Sequence, residues 1–202
     1  MHVTVHRYVG LGSLIDRLVP LVRAKLVPSL RAAPGFLGHC TYVSEDGHLI
    51  ILTVSRDRSS AVQADKQVQR RMSAALGDMA RPRIDITAGE ALLHEVASVQ
   101  RGDEPPMFII VRVYDGIGPR EEVLPRVREH VFLTITGAAG FRGYYAYIDE
   151  KHETRGVAVS LFDNREHALE ANERTVSVMR DQHIAPGPPV ILAGQTMVVA
   201  SR

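Results

Sequence analysis

Two arginines stand where a strand would otherwise continue an apolar row. Arg7 follows Val3 and Val5 at every second position, and Arg112 follows Phe108 and Ile110 in the same way. Side chains on a strand alternate between its faces, so each guanidinium extends a line expected to be buried. A cation there either pairs with a carboxylate, for which Asp57 and Asp163 are the candidates, or meets an anionic or enolate oxygen of a ligand. Tyr42, Tyr144, Tyr145 and Tyr147 fall on neighbouring strand segments and can line the same space, with an apolar ring and a polar tip each. Asn172 and His183 fall on and at the end of the helix that follows. The site read from these residues has Arg112, Tyr147 and His183 as its catalytic groups and Arg7, Tyr42, Tyr144, Tyr145 and Asn172 as ligand-binding groups. His6, next to Arg7, falls on the opposite strand face, with Val111 as its expected counterpart.

Other chemistries find little support. None of the 9 histidines has His-Glu-x-x-His spacing, and the single Cys40 excludes Cys-x-x-Cys, so no metal site is expected. Gly10-Leu11-Gly12 and Gly116-Ile117-Gly118 precede helices but lack a third glycine and a phosphate-binding lysine. Turn chemistry accounts for them, and no cofactor is expected. The net charge of +1 and the scattered Lys and Arg argue against nucleic acid or a membrane as partner. No apolar run approaches the roughly 20 residues of a membrane span. Residues 1–5 read as a strand rather than a signal peptide, and one cysteine fits a reducing cytoplasm, the expected location.

The elements that must hold these residues occur twice. Pro34-Gly35-Phe36-Leu37-Gly38 and Tyr42 return as Ala139-Gly140-Phe141-Arg142-Gly143 and Tyr147, and an offset of 105 also carries Arg7 to Arg112, Pro20 to Pro125 and Ala88-Gly89 to Ala193-Gly194. Each copy reads strand, helix, strand, strand, helix, strand. In the first, residues 3–9 are a strand and Ser13 caps a helix whose stripe is Leu14, Leu18, Leu21, Val22, Leu26 and Leu30. Pro20 should kink or restart that helix, and Pro125 its counterpart. Residues 36–43 and 48–54 form a hairpin around Asp46-Gly47. A second helix spans about 60–79, and a strand at 84–96 bends at Ala88-Gly89. In the second copy, strands at 108–113, 142–148, 156–162 and 190–200 alternate with helices after Pro119 and at 167–183, and the hairpin connection at 149–155 is long and charged.

This order describes ferredoxin-like βαββαβ modules, at 1–98 and 107–202 with a linker at 99–106, each leaving one sheet face uncovered. The expected fold is α+β, with the two modules packed sheet to sheet as a pseudo-dimeric α+β barrel, either monomeric or a homodimer of such barrels.

Pro34-Gly35-Phe36-Leu37-Gly38 with Asp57-Arg58-Ser59-Ser60, and Gly140-Phe141-Arg142-Gly143-Tyr144-Tyr145 with Asp163-Asn164-Arg165-Glu166-His167-Ala168, resemble the antibiotic biosynthesis monooxygenase family of the dimeric α+β barrel superfamily. The resemblance implies a cofactor-independent monooxygenase acting on an aromatic or polyketide-type small molecule. Its alternatives are a non-oxygenating cyclase, isomerase or small-ligand binder, a haem-degrading enzyme, and a barrel without catalysis. The haem-degrading members carry a first-strand asparagine, a tryptophan on the second helix and a histidine near its end. Here Arg7 and Arg112 occupy the first-strand position, tryptophan is absent, and only His183 matches. Polar residues differ between the copies, and the second, with its tyrosines, Asn172 and His183, is the expected carrier of a site.

Overall fold

The computed structural model describes residues 1–77, 81–97 and 106–202. The linker expected at 99–106 falls outside these residues but for Pro106, as does the end of the second helix expected near Met79. Two compact units divide the chain: residues 1–90 with 196–202, and residues 91–195.

In the first unit, β1 (His2–Tyr8), β2 (Phe36–Val43), β3 (Leu49–Ser55) and β4 (Ile84–Glu90) form an antiparallel sheet in the order β4-β1-β3-β2. The far edge of β2 is closed by residues 196–201, the end of β9 (Val190–Ser201). In the second unit, β5 (Leu93–Val96), β6 (Phe108–Asp115), β7 (Phe141–Asp149) and β8 (His152–Phe162) join the start of β9 in the order β9-β6-β8-β7-β5. Each unit is thus a ferredoxin-like module with one strand added by the other sequence repeat, and the fold class is α+β. The strand expected at 84–96 breaks between β4 and β5, after Glu90 rather than at Ala88-Gly89.

The first helix of each module is interrupted beside its proline. Helix α1 (Ile15–Leu21) contains Pro20 and widens into π-helical turns at Val22–Leu26 before α2 (Val27–Arg31). Helix α4 (Arg120–Arg126) contains Pro125 and widens at Val127–Phe132 before α5 (Leu133–Thr136). Proline removes a donor and crowds the preceding turn, and a wider turn relieves both. Ser13 does not cap this helix; it lies in a short 3-10 turn without a capping bond. The second helices are α3 (Arg58–Leu76) and α6 (Arg165–Asp181), capped by Asp57 and Asn164, whose side chains accept from the amides of Ser60 and His167. The second hairpin is tighter than expected: β8 begins at His152, leaving Glu150 and Lys151 between the strands.

One face of each sheet packs on its helices. Tyr8, Leu49, Ile51 and Val198 meet Leu18, Val22, Leu26, Val68 and Met72 in the first unit, and Phe108, Ile110, Tyr114 and Tyr144 meet Val131, Ile135, Ala171 and Met179 in the second.

Strand pairing corrects the constant offset of 105. Tyr8 pairs with Leu49, and Tyr114 with Gly156, so β1 maps onto β6 with an offset of 106. β2 maps onto β7 with 105, β3 and α3 onto β8 and α6 with 107, and β4 onto β9 with 105. The one-residue shift moves a strand residue to the other face. Arg7 is therefore equivalent to Val113, and the equivalent of Arg112 is His6, not Arg7.

Candidate functional site

Arg112 follows Phe108 and Ile110 on the helix-facing side of β6 and is fully buried. Its Nε donates to Asn172 Oδ1 on α6 at 2.8 Å, and its Nη1 to Ser160 Oγ on β8 at 2.8 Å. Nη2 is buried with no hydrogen-bond partner, and among the described residues no carboxylate pairs with this guanidinium. The ion pair to Asp163 that the strand pattern allowed is not formed. Asp163 instead bonds His167 at 2.8 Å and lies 3.8 Å from Arg142, while Asp57 serves as a helix cap. Burial pushes the Arg112 pKa below its ordinary value, partly offset by Tyr114 and Tyr144. The ordinary value is high enough that the group stays cationic. Neutral partners at two donors and an empty third leave a cation looking for an anion.

Arg112 borders a cavity of about 70 Å³ within the second unit, which reaches about 600 Å³ only when the open space at its mouth is counted. Its walls are apolar: Ile117, Val123, Leu124, Val127 and Val131 from the first-helix side, Met179 from α6, and Ala146, Gly156 and Ala158 from the sheet. Leu92, Ile148 and Val157 add to these, and Arg120, Tyr114, Tyr144, Tyr147 and Thr175 are its polar residues beside Arg112. Apolar walls with a few converging polar groups are what small-ligand sites present. Burial raises the pKa of both Tyr114 and Tyr144, with Arg112 opposing, so both hydroxyls stay protonated donors at neutral pH. The Tyr114 hydroxyl is buried without a partner. Two donors without partners, the Arg112 Nη2 and the Tyr114 hydroxyl, thus belong to residues that border this space, the two atoms themselves being buried. The arrangement can hold one anionic oxygen on an apolar, flat body.

Of the residues singled out in the sequence, the structure brings Arg112, Tyr144 and Asn172 together, whereas Tyr147 lies between Ala146 and Ile148, which pack on the helices, so its side chain takes the opposite sheet face. Tyr145 alternates with Tyr144 and Ala146, which pack on the helices, and so takes the other sheet face. Tyr42 and Arg7 belong to the first unit. Arg7 is half-buried and lies 3.9 Å from Asp85, its partner across β1 and β4. His183 is exposed just beyond α6, where its backbone takes a φ of 50° and its amide bonds Arg180; it does not border the cavity. Tyr114 and Ser160 were not anticipated. A signal for Tyr114 was present: Gly10-Leu11-Gly12 and Gly116-Ile117-Gly118 are spaced by 106, and this register pairs Tyr8 with Tyr114 and His6 with Arg112.

The same register reveals the first module's version of the cluster. His6 Nε2 lies 2.6 Å from Asp65 Oδ1 on α3, as Arg112 lies against Asn172 on α6. His39 takes the place of Tyr144 and bonds Thr41 at 2.8 Å, and Thr53 takes the place of Ser160. Among the described residues no group of His, Cys, Asp or Glu is arranged to hold a metal ion. No described helix is long and apolar enough to cross a membrane.

No family model matches the chain, and no curated protein matches its sequence at a significant level. Solved structures do match. A protein of Fusobacterium nucleatum subsp. nucleatum, named as a putative monooxygenase, superposes with a TM-score of 0.79 at 12% identity, over 100% of this chain and 94% of the other. A second of that name, from Lactobacillus acidophilus, gives 0.70 at 8% identity over 99% and 95%. An anthrone oxidase-like protein gives 0.67 at 12% identity over 99% and 92%. At such identities the likeness is one of fold, and it takes in both modules. The chain shares the α+β fold of these solved structures, with its module duplicated within one polypeptide.

Proposed function

We propose that the chain is a cofactor-independent monooxygenase acting on an aromatic or polyketide-type small molecule held in the cavity of the second module. The observation that carries this reading is Arg112: a buried cation paired with no carboxylate among the described residues, with one buried nitrogen lacking a partner, in a residue that borders an apolar space. A buried charge is costly unless something compensates it, and an anionic ligand oxygen at Nη2 and the Tyr114 hydroxyl would do so. Such contacts favour the enolate or phenolate form of a substrate over its neutral form, which is the activation this chemistry requires. The substrate loses a C–H proton, and the resulting carbanion gives one electron to dioxygen. The radical pair closes a C–O bond as a hydroperoxide, and loss of water leaves a carbonyl. One CH₂ group and one O₂ become one C=O and one H₂O, so no outside reductant enters. The apolar walls exclude water from the intermediate. The fold shared with structures named as monooxygenases and as anthrone oxidase-like supports the same reading.

A second reading is favoured by one feature of the cavity: no histidine, aspartate or glutamate lines it, so no evident base stands beside the substrate. A protein that binds an aromatic anion without oxygenating it fits that lining equally well. Oxygen uptake with anthrone separates the two. Consumption of one O₂ per anthrone oxidised, lost in Arg112→Met, supports the oxygenase. Tight binding of anthrone without uptake above the buffer rate supports the binder.

A further inference from the structure

We infer that each module contains the framework of this site, that the first module's copy is closed by its own side chains, and that the small residues Ala146, Gly156 and Ala158 open the second and set the size of what it accepts. The inference rests on the cavity being the ligand site, but not on oxygen chemistry.

The argument compares matched cross-strand rows. In the second module Arg112 pairs with Ala158, and Ala158 with Ala146. In the first, His6 pairs with Ile51, and Ile51 with Thr41. One row further, Gly156 lies between Tyr114 and Ile148, where Leu49 lies between Tyr8 and Val43. Leu49 and Ile51 are both fully buried in the first unit's core, against Leu18, Val22 and Leu26. From the helix side, Val123 and Val131 line the cavity where the first module has Leu18 and Leu26. Thus Thr41, Leu49, Ile51, Leu18 and Leu26 are each replaced by something smaller. Of the exchanges that add atoms, His6 to Arg112, His39 to Tyr144 and Ile15 to Arg120 bring in polar groups that border the space, while Val43 to Ile148 and Val19 to Leu124 add only one carbon each. Removing side-chain atoms from a close-packed region leaves a void where the surroundings do not collapse. A Cβ at Gly156 would lie 3.0 Å from Ile117 Cδ1, so enlarging it needs the Ile117 side chain to give way.

Xenon tests this without any assumption about substrate, since it enters dry apolar cavities. Crystals of the whole chain under xenon should show one site per chain in this region, against Ala146, Ala158 and Met179. It should vanish in Ala158→Ile, and binding of dihydroxyanthraquinone should weaken by at least about tenfold, with the melting temperature equal or higher. The reciprocal variant, Leu49→Ala with Ile51→Ala, should gain a second xenon site between β3 and the first helix. It also covers the case in which Ala158→Ile fails to fold. Xenon in both modules of the unaltered chain, in neither, or unchanged in Ala158→Ile would overturn the inference. So would a reciprocal variant that gains no site. A correct xenon pattern without dihydroxyanthraquinone binding would instead count against the proposed function alone.

Discussion

Arg112 and Arg7 are the same residue type on corresponding strands, yet they predict opposite responses. Replacing Arg112 with Met keeps the apolar stem and removes a buried charge that no carboxylate among the described residues balances, at the loss of the guanidinium's hydrogen bonds to the uncharged Asn172 and Ser160. The melting temperature should change little, while affinity for dihydroxyanthraquinone should fall by about 1–3 kcal/mol, the value of a hydrogen bond to a charged group. Binding isothermal calorimetry and thermal melting on one preparation check both halves, and a large loss of stability with intact affinity would place Arg112 in the scaffold. Arg7 is half-exposed and 3.9 Å from Asp85. Arg7→Met should cost less than about 1 kcal/mol and leave binding alone. His39 supplies the pH dependence. Burial lowers its pKa to about 3, with His6 adding to the effect, whereas an unfolded histidine titrates near 6.5. The folded value is depressed, so the unfolded chain binds the extra proton. Stability from this residue is complete above pH about 6.5 and is lost as pH falls toward 3, by about 1.4 kcal/mol per unit. Urea midpoints measured down to about pH 4 should fall less steeply in His39→Gln than in the unaltered protein. Parallel slopes would show that other groups govern acid unfolding.

At the scale of elements, the repeat was legible because backbone needs recur even when side chains drift. Gly35 and Gly140 both take positive φ, 73° and 68°, at the entry to β2 and β7, and a side chain at Gly140 would collide with Asp163 and His167. Gly140→Ala should therefore destabilise by more than about 1 kcal/mol, through both strain and the displaced Asp163–His167 bond. Asn164→Ala should cost about 1 kcal/mol by uncapping α6. Equilibrium unfolding of the two variants and their combination checks these values. The chemistry was less legible because the modules differ by single insertions. One residue more ahead of β6, one fewer before β7 and two more within the second hairpin shift the offset from 106 to 105 to 107. An anchor on Gly35 and Tyr42 is right for β2 and wrong for β1 by one residue, which on a strand exchanges the faces. Hence the offset of 105 matches Arg112 to Arg7 and His6 to Val111, and it hides the match of Arg112 with Asn172 to His6 with Asp65. The cavity was hidden for a different reason. Ala146, Gly156 and Ala158 are unremarkable in a strand until the residues they replace are known.

For the whole molecule, the sequence repeats and the compact units are not the same objects. The first unit ends at Glu90 and recovers residues 196–202, and the cut between Gln195 and Thr196 lies 105 residues beyond the cut between Glu90 and Ala91. Each repeat thus keeps the first part of its last strand and lends the second. The lent segment of β9 pairs with β2 from Gly38 to Tyr42 and buries Val198 and Ala200 in the first unit's core. Met197 contributes its carbonyl to Arg23 at 2.7 Å, tying the segment to the first helix. Removing residues 196–202 from the full chain therefore strips the edge of β2 and two core side chains from a unit to which they are not sequence-adjacent. An exposed strand edge also invites pairing between molecules. The truncated chain should lose several kcal/mol in the first unit only, unfolding in two steps, with hydrogen exchange accelerated in β2 and β3 before β6 and β8. Fragment 1–98 lacks the same segment and should give no cooperative monomeric transition. A truncated chain that melts in one step at the original temperature, or a fragment 1–98 that is a stable monomer, would mean that the lent strand contributes little and that each repeat folds on its own.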